Sequence, residues 1–431
     1  MRSPTFRAPN IFHIIFLGFV FWFTTDLVSL VFRNGGPPPV VSYIGFLAFV
    51  LGAFIVRITQ GRSAINIASW HQSRSVWLWL FFFLEWNQVN FLYSSQSAVA
   101  LQSLITRVEM TLVFMAFLWF FSSQNIKRNI GLVMVAVAVF GSVVNINDFF
   151  HPLFSAVPGR AAGLYENPNT SGFILIMAMS SGMAAIPISL RWPFLILLSS
   201  AILLTFSRAS WLVLGISLLW FAWQGYLGGK AMRFLLFGLA GFGVAFLMIT
   251  MLSGTLAELI AASPIGNYLD ANTMARLGGS EFATDYSANE RRAVAQLAIS
   301  AFLDGHNPIF GYGLGHTFEW EMNVSTHNLY LLFLVEGGLF GVAIYLCLLG
   351  VLWRSASGIG RLVVLQIAIH SFFDHNLLDS PGRIIFLAMV AAGVLNFGKK
   401  HNTVQSEMAS IGNPPSPHHG PQHRRGRAFF A

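Results

Sequence analysis

Leu329-Tyr-Leu-Leu-Phe-Leu-Val-Glu336-Gly-Gly-Leu-Phe-Gly-Val-Ala-Ile-Tyr-Leu-Cys347-Leu-Leu-Gly-Val-Leu352 carries a single formal charge. Crossing the hydrocarbon core of a bilayer takes about 20 helical residues, and this run is long enough. It has no polar stripe to turn towards water, so it reads as a membrane span. Its cysteine, the only one in the chain, is expected in the protein core, and a lone cysteine offers no disulfide framework.

The same texture recurs on both sides. Further apolar runs lie near Ile11–Phe32, Val40–Ile58, Ser75–Tyr93, Val108–Phe121, Ile130–Ile146, Ser171–Leu190, Pro193–Phe206, Ala209–Trp223, Phe234–Leu252, Leu362–Leu378 and Ile384–Phe397. The third is interrupted by Glu85 and Asn87. The first is too long for a signal-peptide core and has no small-residue cleavage site, so it is expected to stay as one helix. Of 431 residues, 55% are hydrophobic and 10% charged, against about 25% charged in a soluble domain. The expected fold class is therefore all-α, a polytopic integral membrane protein with about 12 transmembrane helices. Residues 1–397 form the membrane domain, and 398–431 a disordered basic tail.

The formal net charge of +8 could suggest nucleic acid, but the basic residues are strung singly between apolar runs, as membrane topology requires. With the N-terminus inside, cytoplasmic segments hold 17 of the 25 basic residues. Both termini are thus expected in the cytoplasm, and nucleic acid is excluded as a partner. The same topology puts two long polar segments, Asp148–Thr170 and Ser253–His327, on the outer side. Loops of that length are usually functional or disordered. The second contains an amphipathic stretch, Ala288–Leu303, and a glycine-rich return through Pro308, Gly311, Gly313 and Gly315. It is expected to be a long, partly helical periplasmic loop.

Four outer segments carry the polar chemistry: Arg160-Ala-Ala-Gly-Leu-Tyr-Glu-Asn167-Pro-Asn169, Ser207-Arg208-Ala-Ser-Trp211, Asn289-Glu290-Arg291-Arg292, and His327-Asn328-Leu-Tyr to Glu336-Gly-Gly. Arg208 lies between two apolar runs with almost no loop around it. It is either a helix-end arginine snorkelling to the interface or a ligand for phosphate. Arg160 and Arg292 taken singly read as solvated loop charges. Several guanidiniums on one side of a membrane are what a membrane-anchored diphosphate requires. His327 could accept a proton from a hydroxyl near neutral pH, or cap a helix entry. His370 and Asp374, four apart, could begin a metal site but lack further ligands, and a buried hydrogen-bonded pair is the plainer reading. Asp26 and Glu85, inside spans, could mark a proton path or satisfy a polar neighbour.

His327-Asn-Leu-Tyr-Leu-Leu-Phe-Leu-Val-Glu336-Gly-Gly-Leu-Phe-Gly341, preceded by Gly311-Tyr-Gly-Leu-Gly315, closely resembles the signature of the bacterial O-antigen ligase and O-antigen polymerase superfamily. Ser207–Trp211 resembles its Ser-Arg-Gly-Ala-Trp motif, with Ala209 in place of the glycine. Arg160–Asn169 resembles its Arg-x-x-Gly-x-x-x-Asn-Pro-Asn motif, and the likeness runs from about Arg160 to Asp379. It implies glycosyl transfer at the periplasmic face of the bacterial inner membrane, from an undecaprenyl-diphosphate-linked glycan to a glycan or lipid acceptor. His327 would activate the acceptor, and Arg160 and Arg208 would hold the diphosphate. Arg292 best fits the spacing of a third arginine, with Arg291 beside it. Asn167, Asn169, Asn328 and Glu336 would support the site. Membrane lipid and chain-length or export factors complete the implied partners.

Polyprenyl diphosphate is a good leaving group, and fixed arginines in a water-poor site can stabilise its developing charge. Neither a metal nor another cofactor is needed, and one-step attack would invert the anomeric centre. The polymerase reading is taken first. An O-antigen ligase acting on lipid A core and a protein O-oligosaccharyltransferase are alternatives, and a lipid-linked glycan flippase is the reading from another class.

Overall fold

The computed structural model describes residues 11–60, 67–122, 126–157, 159–227, 238, 286–304, 307–320 and 325–396. Among these there is helix and no strand. In chain order the helices are α1 (Ile11–Thr24), α2 (Leu27–Arg33), α3 (Pro39–Thr59), α4 (Ile67–Leu92), α5 (Ala98–Phe121), α6 (Lys127–Phe150) and α7 (Pro168–Gly182). They continue with α8 (Arg191–Leu203), α9 (Arg208–Trp223), α10 (Tyr286–Asp304), α11 (His316–Glu319), α12 (Leu329–Ser355), α13 (Ile359–His370) and α14 (Pro381–Ala391).

The chain is an integral membrane protein whose α3, α5, α6 and α12 are long and apolar enough to cross a bilayer, with the bent pair α1–α2 as a fifth candidate. Phe234–Leu252, apart from residue 238, and the tail from 398 lie outside the described residues. Every other expected run carries helix, but not always of spanning length. α8, α9, α13 and α14 have 13, 16, 12 and 11 residues, a rise of only ~17 to 24 Å. The apolar runs there pass into turns and short 3₁₀ segments such as Asn376–Leu378, which hydropathy does not register.

On α3, Ile44, Leu51, Ile55 and Ile58 are exposed, a spacing that keeps them on one outward side as lipid contact demands. Cys347 is exposed too, which corrects its expected place in the core: an apolar helix surface facing lipid is as good a home for a thiol. Inside, Phe16 stacks on Phe120 with centroids 4.2 Å apart, and Phe46 on Phe117 at 4.4 Å. These contacts tie α1, α3 and α5. In lipid, helices associate by such packing and by buried polar links rather than by escape from water. Gln366 of α13 supplies one link, its amide donating to Ser180 of α7 and Ser217 of α9, both at 2.7 Å. Asn145 of α6 supplies another, donating to the Ala201 carbonyl at 2.7 Å and accepting from Ser171 at 2.9 Å.

The first run is not one helix. α1 and α2 meet at 65° across Asp26, whose φ is 57°. Thr24 and Thr25 return their hydroxyls to the carbonyls of Val20 and Phe21, a bonding pattern that bends helices. The Tyr165 hydroxyl donates to the Thr24 carbonyl at 2.8 Å, and Ser29 donates to the Asp26 carboxylate at 2.6 Å. Asp26 therefore has a polar neighbour at a helix break. Glu85 is exposed.

A second break lies in α12 at Gly338, where φ is 60° and ψ −156°. In an unbroken helix Leu339 and Phe340 would donate to Val335 and Glu336. Instead they donate to the carbonyls of Pro308 and Ile309, at 2.9 and 3.1 Å. The freed carbonyls of Val335 and Glu336 accept from Tyr312 and Gly313, at 2.9 and 3.0 Å. All four groups are thus satisfied by the glycine-rich return, where each would otherwise cost several kcal/mol at membrane depth. The approach leaves no room for a side chain: a Cβ on Gly311 would meet the backbone of Val335, Glu336 and Gly338 at 2.5–2.7 Å.

Candidate functional site

Asp148, near the end of α6, organises the first polar segment. Its carboxylate accepts from the backbone of Leu153, Phe154, Ala162 and Gly163 at 2.9–3.0 Å. The loop so folded turns Arg160 inward, 6% exposed. Arg160 donates from Nε to the Thr205 carbonyl at 2.8 Å and from Nη2 to Asn169 Oδ1 at 3.1 Å. The solvated reading of this arginine is thereby corrected. A charge-dense loop reads as wet, but the Asp148 clamp needs the fold to be seen. Asn167 caps α7 by accepting from the Asn169 backbone at 2.8 Å.

Thr205, which receives Arg160, begins the turn from α8 to α9. Phe206 takes φ 47° there, and Ser207 caps α9, its side chain accepting from Ser210 N. Arg208 is the first residue of α9 and is exposed. A cation at a helix N-terminus works against the helix dipole by roughly 0.3–1 kcal/mol, so α9 gains nothing from it. Together the amide end and the guanidinium suit an anion.

His327 sits just ahead of α12 with φ 50°, a left-handed backbone that non-glycine residues adopt rarely. Asn328 accepts from the backbone of Tyr330 and Leu331 at 2.9 and 3.2 Å, so the cap belongs to it and not to the histidine. Burial, and then the charge of Arg291, lower the His327 pKa against the opposing pull of Glu290 and Asp374. Neutral at pH 7, the half-buried ring can accept a proton. α10, which carries Arg291, packs on α12 through Val294, Ala298, Leu297, Leu331 and Val335. Arg292, one position on, is exposed.

The His375 ring lies 5.5 Å from that of His327, buried enough to bring its pKa down to about 4 despite the carboxylate of Asp374. Asp374 itself is pushed up by burial, but Arg383 and the Asn376 backbone outweigh this and hold it below the usual carboxylate range. Arg383 Nη1 meets Asp374 Oδ2 at 2.7 Å, and Nη2 donates to Thr170 Oγ1 at 2.7 Å. His370 is not hydrogen-bonded to Asp374. It packs edge-on against Phe173 at 4.7 Å, and no group of three metal-binding side chains converges among the described residues. The expected His370–Asp374 pair thus gives way to an Arg383–Asp374 pair, because an arginine fork outcompetes imidazole for a carboxylate. Farther along α14's approach, Asp379 lies 3.6 Å from buried Arg107.

Glu336 is buried and accepts from the Gly315 backbone and the Thr317 hydroxyl, both at 3.1 Å. Its contacts hold the glycine-rich return and α11 to α12. One string of contacts therefore runs from the α8–α9 turn through Arg160, Asn169, Thr170, Arg383 and Asp374 to the two histidines and Arg291. Asp148, Thr170, His375 and Arg383 were not singled out from sequence. A charged residue at the very start of an apolar run was the available signal for Arg383, and a His beside Asp374 for His375.

Residues 193–346 match the family model described as O-antigen ligase. The match takes in Ser207–Trp211, the glycine-rich return and His327–Gly341, and leaves Arg160–Asn169 and Asp374–Arg383 outside. No curated protein matches the chain.

Proposed function

We propose, with the O-antigen ligase-family domain at residues 193–346 as premise, that the chain transfers a glycan from undecaprenyl diphosphate to an acceptor hydroxyl at the outer face of the inner membrane. The observation that supports this reading is the string of contacts ending at His327, which links the α8–α9 turn and the Arg160–Asn169 segment, by way of Arg383 and Asp374, to an imidazole whose pKa is lowered by burial. His327 takes the proton of the acceptor hydroxyl. That oxygen bonds to the anomeric carbon from the side opposite the diphosphate, the bond from carbon to the diphosphate oxygen breaks, and the electron pair leaves with the diphosphate. Arg208 and Arg160, with Arg291 or Arg292, stabilise the departing charge, and configuration inverts. No step calls for a divalent cation.

The acceptor hydroxyl belongs first to a growing glycan, making the protein a surface- or exopolysaccharide polymerase; a lipid A core sugar or a protein side chain are the alternatives. Purified protein, lipid-linked repeat units and EDTA should give longer glycans on a gel. Transfer only to added lipid A core, or only to a protein acceptor, would replace the polymerase assignment, and activity lost to EDTA and restored by a divalent ion would sink the metal-free step. A flippase would use discontinuous helices, as transporters do. Here the breaks at Asp26 and Gly338 are filled by Tyr165 and by the glycine-rich return, which favours an enzyme.

The bias of basic residues supports cytoplasmic termini. Reporter fusions at Gly279 and at the C-terminus should therefore give opposite signals, and equal signals would remove the outer-face site.

A further inference from the structure

The structure assigns to Arg383 the role of a positioning residue, which holds the Asp374 carboxylate beside the two histidines with one arm and Thr170 of the Asn-Pro-Asn-Thr segment with the other. This rests on the reading of His327 as the base. Arg383 is 4% exposed, so bulk solvent does not screen it. Its fork is committed at both ends, 2.7 Å to Asp374 Oδ2 and 2.7 Å to Thr170 Oγ1, and its guanidinium lies over the Phe173 ring at 5.7 Å. Thr170 follows Asn169, which receives Arg160. Asp374 adjoins His375, whose ring touches His327. One residue of α14 thereby spans the arginine side and the histidine side of the site. It also lies outside the stretch that matches the family.

The charges around His327 give this arrangement a measurable signature. Arg291 and Glu290 face it from α10, and Asp374 and His375 from the turn ahead of α14. With Arg383 in place, Asp374 is neutralised by a partner other than the histidines. Without it a buried carboxylate remains beside two imidazoles. An imidazole, with an ordinary pKa of about 6.5, outcompetes a carboxyl for the proton, so His327 is drawn towards its charged, inactive form.

The test follows the His327 ring signals by NMR in full-length, histidine-labelled protein in micelles, assigned with His327→Gln. Transfer kinetics are measured beside it. Arg383→Met should move the His327 titration upward by about one pH unit, and Asp374→Asn should move it downward. The double variant should undo the upward shift. In Arg383→Met, kcat should fall about ten- to a hundred-fold while the donor KM stays within three-fold, and Arg383→Lys should recover part of kcat. If Arg383→Met fails to accumulate, Asp374→Asn and the double variant, which leaves no unpaired buried charge, still report the shift. An unmoved titration in both, or a donor KM raised more than ten-fold at constant kcat, would overturn the assignment. The ring signals need no turnover, so a failure of the glycosyl-transfer reading shows separately, as an inactive wild type.

Discussion

Replacing His327 with alanine is expected to lower transfer by about two to four orders of magnitude, the usual range for removing a general base, while membrane insertion and donor binding persist. The ring lies outside the α12 cap, which Asn328 makes, so α12 keeps its start without it. Its backbone is in the left-handed region, which histidine adopts somewhat more readily than alanine, so the change carries a small fold cost that protein level would report. Activity should rise with pH through the titration of His327, because only the neutral ring takes the proton. Burial and Arg291 lower that titration below its ordinary value, so the acid limb should lie below about 6.5. Steady-state rates against pH for wild type, with single-point assays of the variant, decide this. Near wild-type turnover in a well-folded His327→Ala protein would defeat the proposed base.

Arg208 should show the second-largest effect, with Arg208→Ala costing about 10²–10³ in kcat, as for other preorganised groups that meet developing negative charge. Arg208→Lys should be nearly as damaging. A planar fork reaches two phosphate oxygens at once, and an ammonium is a single point of charge. The competing reading, a helix-end cation snorkelling to the interface, predicts the reverse, since lysine snorkels as well as arginine. The position on α9 speaks against that reading: the residue stands at the amide end of the helix, where a cation gains nothing from the dipole. Complementation at normal protein level, with donor concentration varied, separates the two. Full activity of Arg208→Lys would restore the anchor.

The helices were legible wherever an apolar run was long, as with α3 and α12, because lipid demands uninterrupted hydrogen-bonded backbone; α5 begins ten residues before the run that marks it, its first turns carrying Gln102, Arg107 and other polar residues. The breaks were not. Thr24, Thr25 and Asp26 look like minor polar residues in a long run, and Tyr165, far off in sequence, helps to satisfy the break. Arg208 stood out because it falls between two apolar runs with almost no loop around it, where a charge risks membrane depth, and His327 because an imidazole there can take a proton near neutral pH. Arg383 did not, for a single arginine after Pro-Gly reads as a topology signal. Its meaning lies in Thr170, Asp374 and Phe173, brought to it from separate stretches of chain. The same limit applied to Arg160, whose burial follows from four backbone bonds to Asp148.

The interruption of α12 joins two stretches of the chain. Pro308 to Gly313 are stapled to Val335 to Phe340 on both edges of the gap, and Gly315 and Thr317 to Glu336. A side chain introduced at Gly311 would meet the backbone of Val335, Glu336 and Gly338 and so loosen all four of the bonds across the gap at once: the return and the broken helix stand or fall together.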